Sequence, residues 1–125
     1  MAAAVADFTP KGGSLQDKLP RQTKLNLELV PTQDIVASAS KSARDDQRII
    51  AFALGKPQTL EQVAKEKLER KGVDAIVANP LETMDAENIS ATVYCKDGRI
   101  FSPPRDCKKS AFSVWLIEQI TDICL

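Results

Sequence analysis

Two short apolar runs, separated by a segment with helical spacing, constrain the fold of this chain more than any other feature. Residues 49–54 read Ile-Ile-Ala-Phe-Ala-Leu, and residues 75–78 read Ala-Ile-Val-Ala. Runs of this length are typical of strands that are buried on both faces, as in parallel sheets. The segment between them carries apolar residues at helical spacing, namely Leu60, Val63, Ala64 and Leu68. A strand–helix–strand order requires a crossover, so the pattern predicts neighbouring parallel strands in an α/β sheet.

Local signals predict where the helices of this sheet begin and end. Thr59 and Gln62 form a capping-box pattern at the start of the central helix, and Gly72 supplies its C-terminal stop. An earlier helix is expected over residues 33–43, with Thr32 as its N-cap.

The remaining segments complete an open α/β sheet. Residues 2–6 are expected to form a buried strand, and the alternation of Leu25, Leu27 and Leu29 predicts a half-buried one. Residues 92–95 and 99–101 flank Asp97-Gly98, which predicts an antiparallel hairpin. A last helix over residues 107–123 should cover the sheet through its apolar residues, Phe112, Trp115, Leu116, Ile120 and Ile123.

The predicted fold is therefore a single α/β domain over residues 1–125, with an open, parallel, Rossmann-like sheet, a C-terminal antiparallel hairpin and a covering helix. The sequence contains neither a GxGxxG nor a GxxxxGK[ST] motif, and an apolar strand stands almost at residue 1. A parallel strand normally has neighbours on which to pair. We therefore expect the chain to be the C-terminal part of a larger doubly wound domain.

Composition excludes several functions. The chain has no histidine, which rules out a Ser-His-Asp triad, a Cys-His dyad and a histidine-ligated zinc within it. Lys plus Arg and Asp plus Glu both total 17, so the usual electrostatic basis for binding nucleic acid or an anionic membrane is missing. The three cysteines are odd in number and far apart, which favours free thiols in a reducing, cytoplasmic setting.

Two stretches read as loops, residues 9–23 and residues 80–90. The first contains Gly12, Gly13 and Pro20 and is predicted to be a mobile flap. In open α/β sheets, ligands bind at the carboxyl ends of the strands. This rule directs attention to Asp7, Phe52 and Asn79.

Motifs along the chain occur in the same order as in a known family. Residues 2–10 are similar to its AAVADY.P strand and turn, and residues 17–19 to the start of its lysine-containing flap. Residues 25–36 are similar to L.L..NPDIV, residues 49–53 to the start of VVGFAAET, and residues 64–79 to A..K...KG.D.IVAND. The chain thus resembles phosphopantothenoylcysteine synthetase, the ligase half of the bacterial bifunctional pantothenate-metabolism flavoprotein.

The resemblance implies a ligase of coenzyme A synthesis. Such enzymes activate the carboxylate of 4′-phosphopantothenate with CTP or ATP and Mg²⁺, and cysteine then displaces the nucleotide to form an amide. The implied partners are these two substrates, together with a second copy of the chain or the missing N-terminal half. Family enzymes carry a Gly-rich segment ahead of the AAVAD strand, so we expect no independent ligase turnover from this chain.

The resemblance also implies roles for individual residues. Asp7 should contact the nucleotide, at its ribose or its Mg²⁺, and Lys18 should act catalytically by reaching the phosphates as the flap closes. Gln33, Asp34, Ile35 and Val36 would begin a helix whose N–H groups face phosphate. The remaining nucleotide-contacting positions would be Phe52, Lys67, Lys71 and Asn79.

Each of these residues also has a purely structural interpretation. Asp7 would be a turn residue, Lys18 a solvated side chain in a polar loop, and Phe52 part of the core. Lys67 and Lys71 are i and i+4 neighbours that would form an ordinary charged helix face.

Departures from the family pattern keep a second function open. Gln33 and Pro80 replace the usual Pro and Asp, and Gly55-Lys56 replaces Glu-Thr. The alternative is a non-enzymatic α/β binding or assembly module that has kept the fold. A flavodoxin-like electron carrier fits the fold class but lacks a visible loop for the phosphate of FMN.

Overall fold

A computed structural model describes residues 5–13 and 26–124, with side chains up to residue 121. The chain divides into two compact units after Asp34. Each unit is described by itself.

The first unit contains a small antiparallel ribbon. Strand β1 (Phe8–Pro10) pairs with strand β2 (Leu29–Pro31). An ion pair of 2.8 Å between Lys11 Nζ and Glu28 Oε1 joins the residue that follows β1 to the residue that precedes β2. The Thr32 hydroxyl donates a hydrogen bond of 2.6 Å to the carbonyl of Ala6. Two strands of three residues form a marginal hairpin with little apolar face.

Three sequence-based expectations differ from this ribbon. In the strand predicted over residues 2–6, positions 2–4 lie outside the described residues, and Val5 is exposed and outside any strand. The side chains of Leu27 and Leu29 are exposed rather than half-buried, because so short a ribbon has no broad face to cover them. Since β1 and β2 pair antiparallel in a separate sheet, they do not extend the parallel one.

The second unit is a four-stranded mixed sheet in the order β3-β4-β5-β6. Strands β3 (Ile50–Gly55) and β4 (Ala75–Pro80) pair in parallel. Strands β5 (Thr92–Cys95) and β6 (Ile100–Phe101) continue it antiparallel. The α/β class and the C-terminal hairpin are confirmed.

Three helices complete this unit, α1 (Ile35–Lys41), α2 (Pro57–Lys71) and α3 (Lys109–Cys124). A 3-10 turn at Leu81–Thr83 follows β4. Gly72 adopts a left-handed conformation, with φ of 63°, and caps the C-terminus of α2 as predicted.

The predicted helix starts are wrong. Helix α2 begins at Pro57 after Lys56, without a side-chain cap, so Thr59 lies inside its first turn. Proline is preorganised for the first helical position, and here it takes precedence over the capping box. Helix α1 begins only at Ile35, and the Thr32 hydroxyl bonds to Ala6 instead of capping it.

Two apolar cores lie on opposite faces of the sheet. Helix α3 packs Phe112 and Leu116 against Val77 and Val93 on one face, which confirms it as a covering helix. Helix α2 packs on the other face, where the buried cluster contains Ala51, Ala53, Leu60, Ala64, Val73, Ile76, Ala78 and Tyr94. Strand β4 is buried on both faces over residues 75–78, as its apolar run predicted.

The same prediction is wrong for β3. Its burial alternates, because Ala51 and Ala53 are buried whereas Phe52 and Leu54 are 61% and 43% exposed. Strand β3 is the edge strand of its sheet, and α3 packs over the centre of the sheet instead. An aromatic side chain therefore stands in solvent in the middle of β3.

Candidate functional site

The carboxyl ends of β3 and β4 form the candidate site. Leu54 pairs with Asn79 in the parallel register, and Phe52 pairs with Val77. Because side chains alternate along a strand, Phe52, Leu54 and Asn79 share the face that carries Val77, which is the α3 face. We call these three residues the carboxyl-edge face.

Asn79 contributes an unpaired polar atom to this face. Its side-chain oxygen Oδ1 is buried, and it finds no hydrogen-bond partner among the residues that the structure describes. A buried acceptor without a partner costs about 1–3 kcal/mol, so its persistence calls for an explanation. In the register, Asn79 lies opposite Leu54 and diagonally across from Phe52.

Helix α1 begins at the same end of the second unit. The hydroxyl of Ser40, in the last turn of α1, donates a hydrogen bond to the carbonyl of Gly72, which follows α2. Both helices therefore end at the amino edge of the parallel strands, so α1 starts at the carboxyl edge. Val36 packs against the α2-side core, whereas Ile35 is exposed. The seven residues of α1 give it only a small dipole.

Lys67 and Lys71 are placed elsewhere in this unit. Both lie in the C-terminal half of α2, which covers the face opposite to Phe52 and Asn79. At a rise of about 1.5 Å per residue, Lys71 lies about 20 Å along the helix from its start at the carboxyl edge. The structure thus does not bring the two lysines to the carboxyl-edge face.

The other predicted residues belong to the first unit or are not described. Asp7 is exposed, and its backbone carbonyl accepts a hydrogen bond of 2.9 Å from the N–H of Thr32. Gln33 and Asp34 are exposed at the end of that unit. Lys18 and most of the predicted flap lie outside the described residues. The roles of these four residues stay predictions.

Across residues 5–13 and 26–124 no group of three or more His, Cys, Asp or Glu side chains could hold a metal ion. Mg²⁺ is commonly held by one or two carboxylates together with substrate phosphates and water. A single exposed carboxylate such as Asp7 fits that mode of binding and does not fit an all-protein metal cage.

Leu54 is the residue of this face that the sequence analysis missed. The apolar run predicts burial on both faces, and the carboxyl-edge rule indicates Phe52 but not Leu54. The signal was present, because residues 50, 52 and 54 alternate with small alanines at residues 51 and 53. Alanine faces the packed α2, whereas the larger side chains face the side that α2 leaves open.

In the described part of the chain, no helix is both long enough and apolar enough to span a bilayer.

Comparisons with known proteins agree with this fold. A family model described as the DNA/pantothenate metabolism flavoprotein C-terminal domain matches residues 1–123. A cysteine/cysteine sulfinic acid decarboxylase from an unknown prokaryotic organism is 40% identical over 83 residues, 66% of this chain and 23% of that protein. The coenzyme A biosynthesis bifunctional protein CoaBC of Borreliella burgdorferi is 38% identical over 82 residues, 65% of this chain and 21% of that protein.

A solved structure shares both fold and sequence with the chain. The crystal structure of the C-terminal domain of a coenzyme A biosynthesis bifunctional protein CoaBC superposes with a TM-score of 0.66 at 30% identity. The match covers 94% of this chain and 50% of that one. The chain therefore spans less than a quarter of the curated relatives above and half of this solved domain.

Proposed function

The chain belongs to the family of the DNA/pantothenate metabolism flavoprotein C-terminal domain, and we propose that it supplies part of the nucleotide site of a coenzyme A biosynthesis ligase. That ligase would join 4′-phosphopantothenate to cysteine. The observation that carries the proposal is the carboxyl-edge face, where an exposed aromatic ring and a buried, unpaired amide oxygen lie on the same side of the sheet.

Phe52 and Asn79 suit the base of a nucleotide. An exposed ring can stack on a base, an interaction worth about 1–3 kcal/mol per base in single-strand binding proteins. The Asn79 oxygen can accept a hydrogen bond from the exocyclic amine that cytosine and adenine both carry. We propose CTP or ATP as the co-substrate on this basis.

The proposed chemistry has two balanced steps. The substrate carboxylate attacks the α-phosphorus of the nucleotide, and pyrophosphate leaves with the α–β bridging oxygen. The amine of cysteine then attacks the acyl carbon, the nucleoside monophosphate departs with the acyl–phosphate oxygen, and the nitrogen loses a proton to solvent as the amide forms. Mg²⁺ bound to the phosphates would neutralise charge, with Asp7 as its protein ligand. Lys18 would stabilise the charge that develops as pyrophosphate leaves.

The backbone N–H groups of Gln33, Asp34, Ile35 and Val36 are proposed to face the phosphates. Lys67 and Lys71 are proposed as further nucleotide contacts. They lie across the sheet from Phe52, so contact with the same nucleotide would require its phosphates to pass the open edge of β3. Alternatively, they would serve a nucleotide that is held by another polypeptide.

Activity is proposed to need more polypeptide than this chain contains, because its relatives are much longer. We propose a second copy or an N-terminal half as partner, in the cytoplasm, and ligase turnover only in that assembly.

A non-enzymatic binding or assembly module is the second candidate. It is favoured by Gln33, Gly55 and Pro80, which depart from the family pattern. It is also favoured by the open edge of β3, because an unpaired strand edge is a template for association.

A thermal-shift titration with CTP, ATP and Mg²⁺ tests nucleotide binding. A ligand that binds only the folded state raises the melting temperature by mass action. We expect a rise with one nucleotide that is lost in Phe52→Ala and in Lys18→Ala plus Asp7→Asn. The matched control is Val114→Ala, which shortens an exposed apolar side chain on α3. No shift in the unmodified chain at millimolar nucleotide would contradict the proposal for this chain and favour the assembly module.

A further inference from the structure

We draw no further inference here: the strongest candidate, the exposed apolar face of the β1–β2 ribbon that carries Phe8 and Leu29, supports no proposal because nothing in the structure shows what covers it.

Discussion

The carboxylate of Asp74 accepts a hydrogen bond of 2.8 Å from the backbone N–H of Ile49. The backbone N–H of Asp74 donates a hydrogen bond of 2.9 Å to the carbonyl of Ile49. The backbone carbonyl of Asp74 accepts a hydrogen bond of 2.9 Å from the N–H of Lys96. One residue thus joins the chain that enters β3, the start of β4 and the turn after β5. These bonds set the register of the sheet on which the candidate site depends.

Replacing Asp74 with alanine should destabilise the fold. The N–H of Ile49 would lose its side-chain acceptor in a half-buried position, at a cost of about 1–3 kcal/mol. Asp74→Asn keeps an acceptor oxygen and should cost clearly less. Urea denaturation followed by circular dichroism would measure both changes, and equal losses in the two variants would contradict the assigned role.

Gly72→Ala should be destabilising through backbone strain alone. Gly72 has φ of 63°, and a Cβ built there would lie an ordinary 3.5 Å from Ser40 Oγ. A non-glycine residue in the left-handed region costs about 1 kcal/mol, except that asparagine tolerates it better. We expect Gly72→Asn to be milder than Gly72→Ala in thermal denaturation. The opposite order would indicate that crowding, and not φ, limits this position.

Phe52 and Phe112 should respond differently to truncation, although both sit in apolar stretches. Phe112 is 5% exposed and lies in the α3-side core, so Phe112→Ala should cost about 3–5 kcal/mol. Phe52 is 61% exposed, and Phe52→Ala should change the free energy of unfolding by less than about 0.5 kcal/mol. Chemical denaturation of both variants checks this. A large loss in Phe52→Ala would show that Phe52 acts as a core residue.

The difference between these phenylalanines shows where sequence reasoning succeeds and where it stops. Strand β4, the stop at Gly72 and the turn at Asp97-Gly98 are recoverable because a local signal and the tertiary environment agree there. The burial of β3 cannot be recovered from the sequence, because an apolar run has the same pattern in a central strand and in an edge strand. The order of strands in the sheet decides whether an apolar run becomes a central strand or an edge strand. That order depends on pairing between segments that are distant in the sequence.

The candidate site was predictable in part for the same reason. The rule of carboxyl-edge binding identified Phe52 and Asn79, and the register places both on one face. The i,i+4 spacing of Lys67 and Lys71 correctly puts them on one side of a helix. Spacing within a helix does not indicate which face of the sheet the helix covers. Helix α2 covers the face opposite to the one that carries Phe52 and Asn79.

The cysteines should behave as protected thiols in the native state. Cys95 and Cys107 are thiols outside any disulfide among the described residues, and they are 3% and 8% exposed. In a Cys124→Ser background, Ellman's reagent should label both slowly, and the rate should rise with urea as unfolding exposes them. Cys124→Ser also removes the cysteine whose side chain lies outside the described residues. Rapid labelling of the native background variant would contradict the burial.

Asp97 should titrate at lower pH than an ordinary aspartate. The backbone N–H of Arg99, and then its guanidinium, donate hydrogen bonds that hold the pKa of Asp97 below 3.8. Because the folded-state pKa is depressed, the stabilisation is complete above pH of about 4 and is lost as pH falls through the folded-state pKa. Carboxyl ¹³C chemical shifts should show a midpoint below the ordinary value for aspartate, and Arg99→Gln should raise that midpoint because one of the two hydrogen-bond donors is lost. A midpoint in Arg99→Gln equal to that of the unmodified chain would mean that the guanidinium contributes nothing, and that the hairpin turn alone holds the carboxylate.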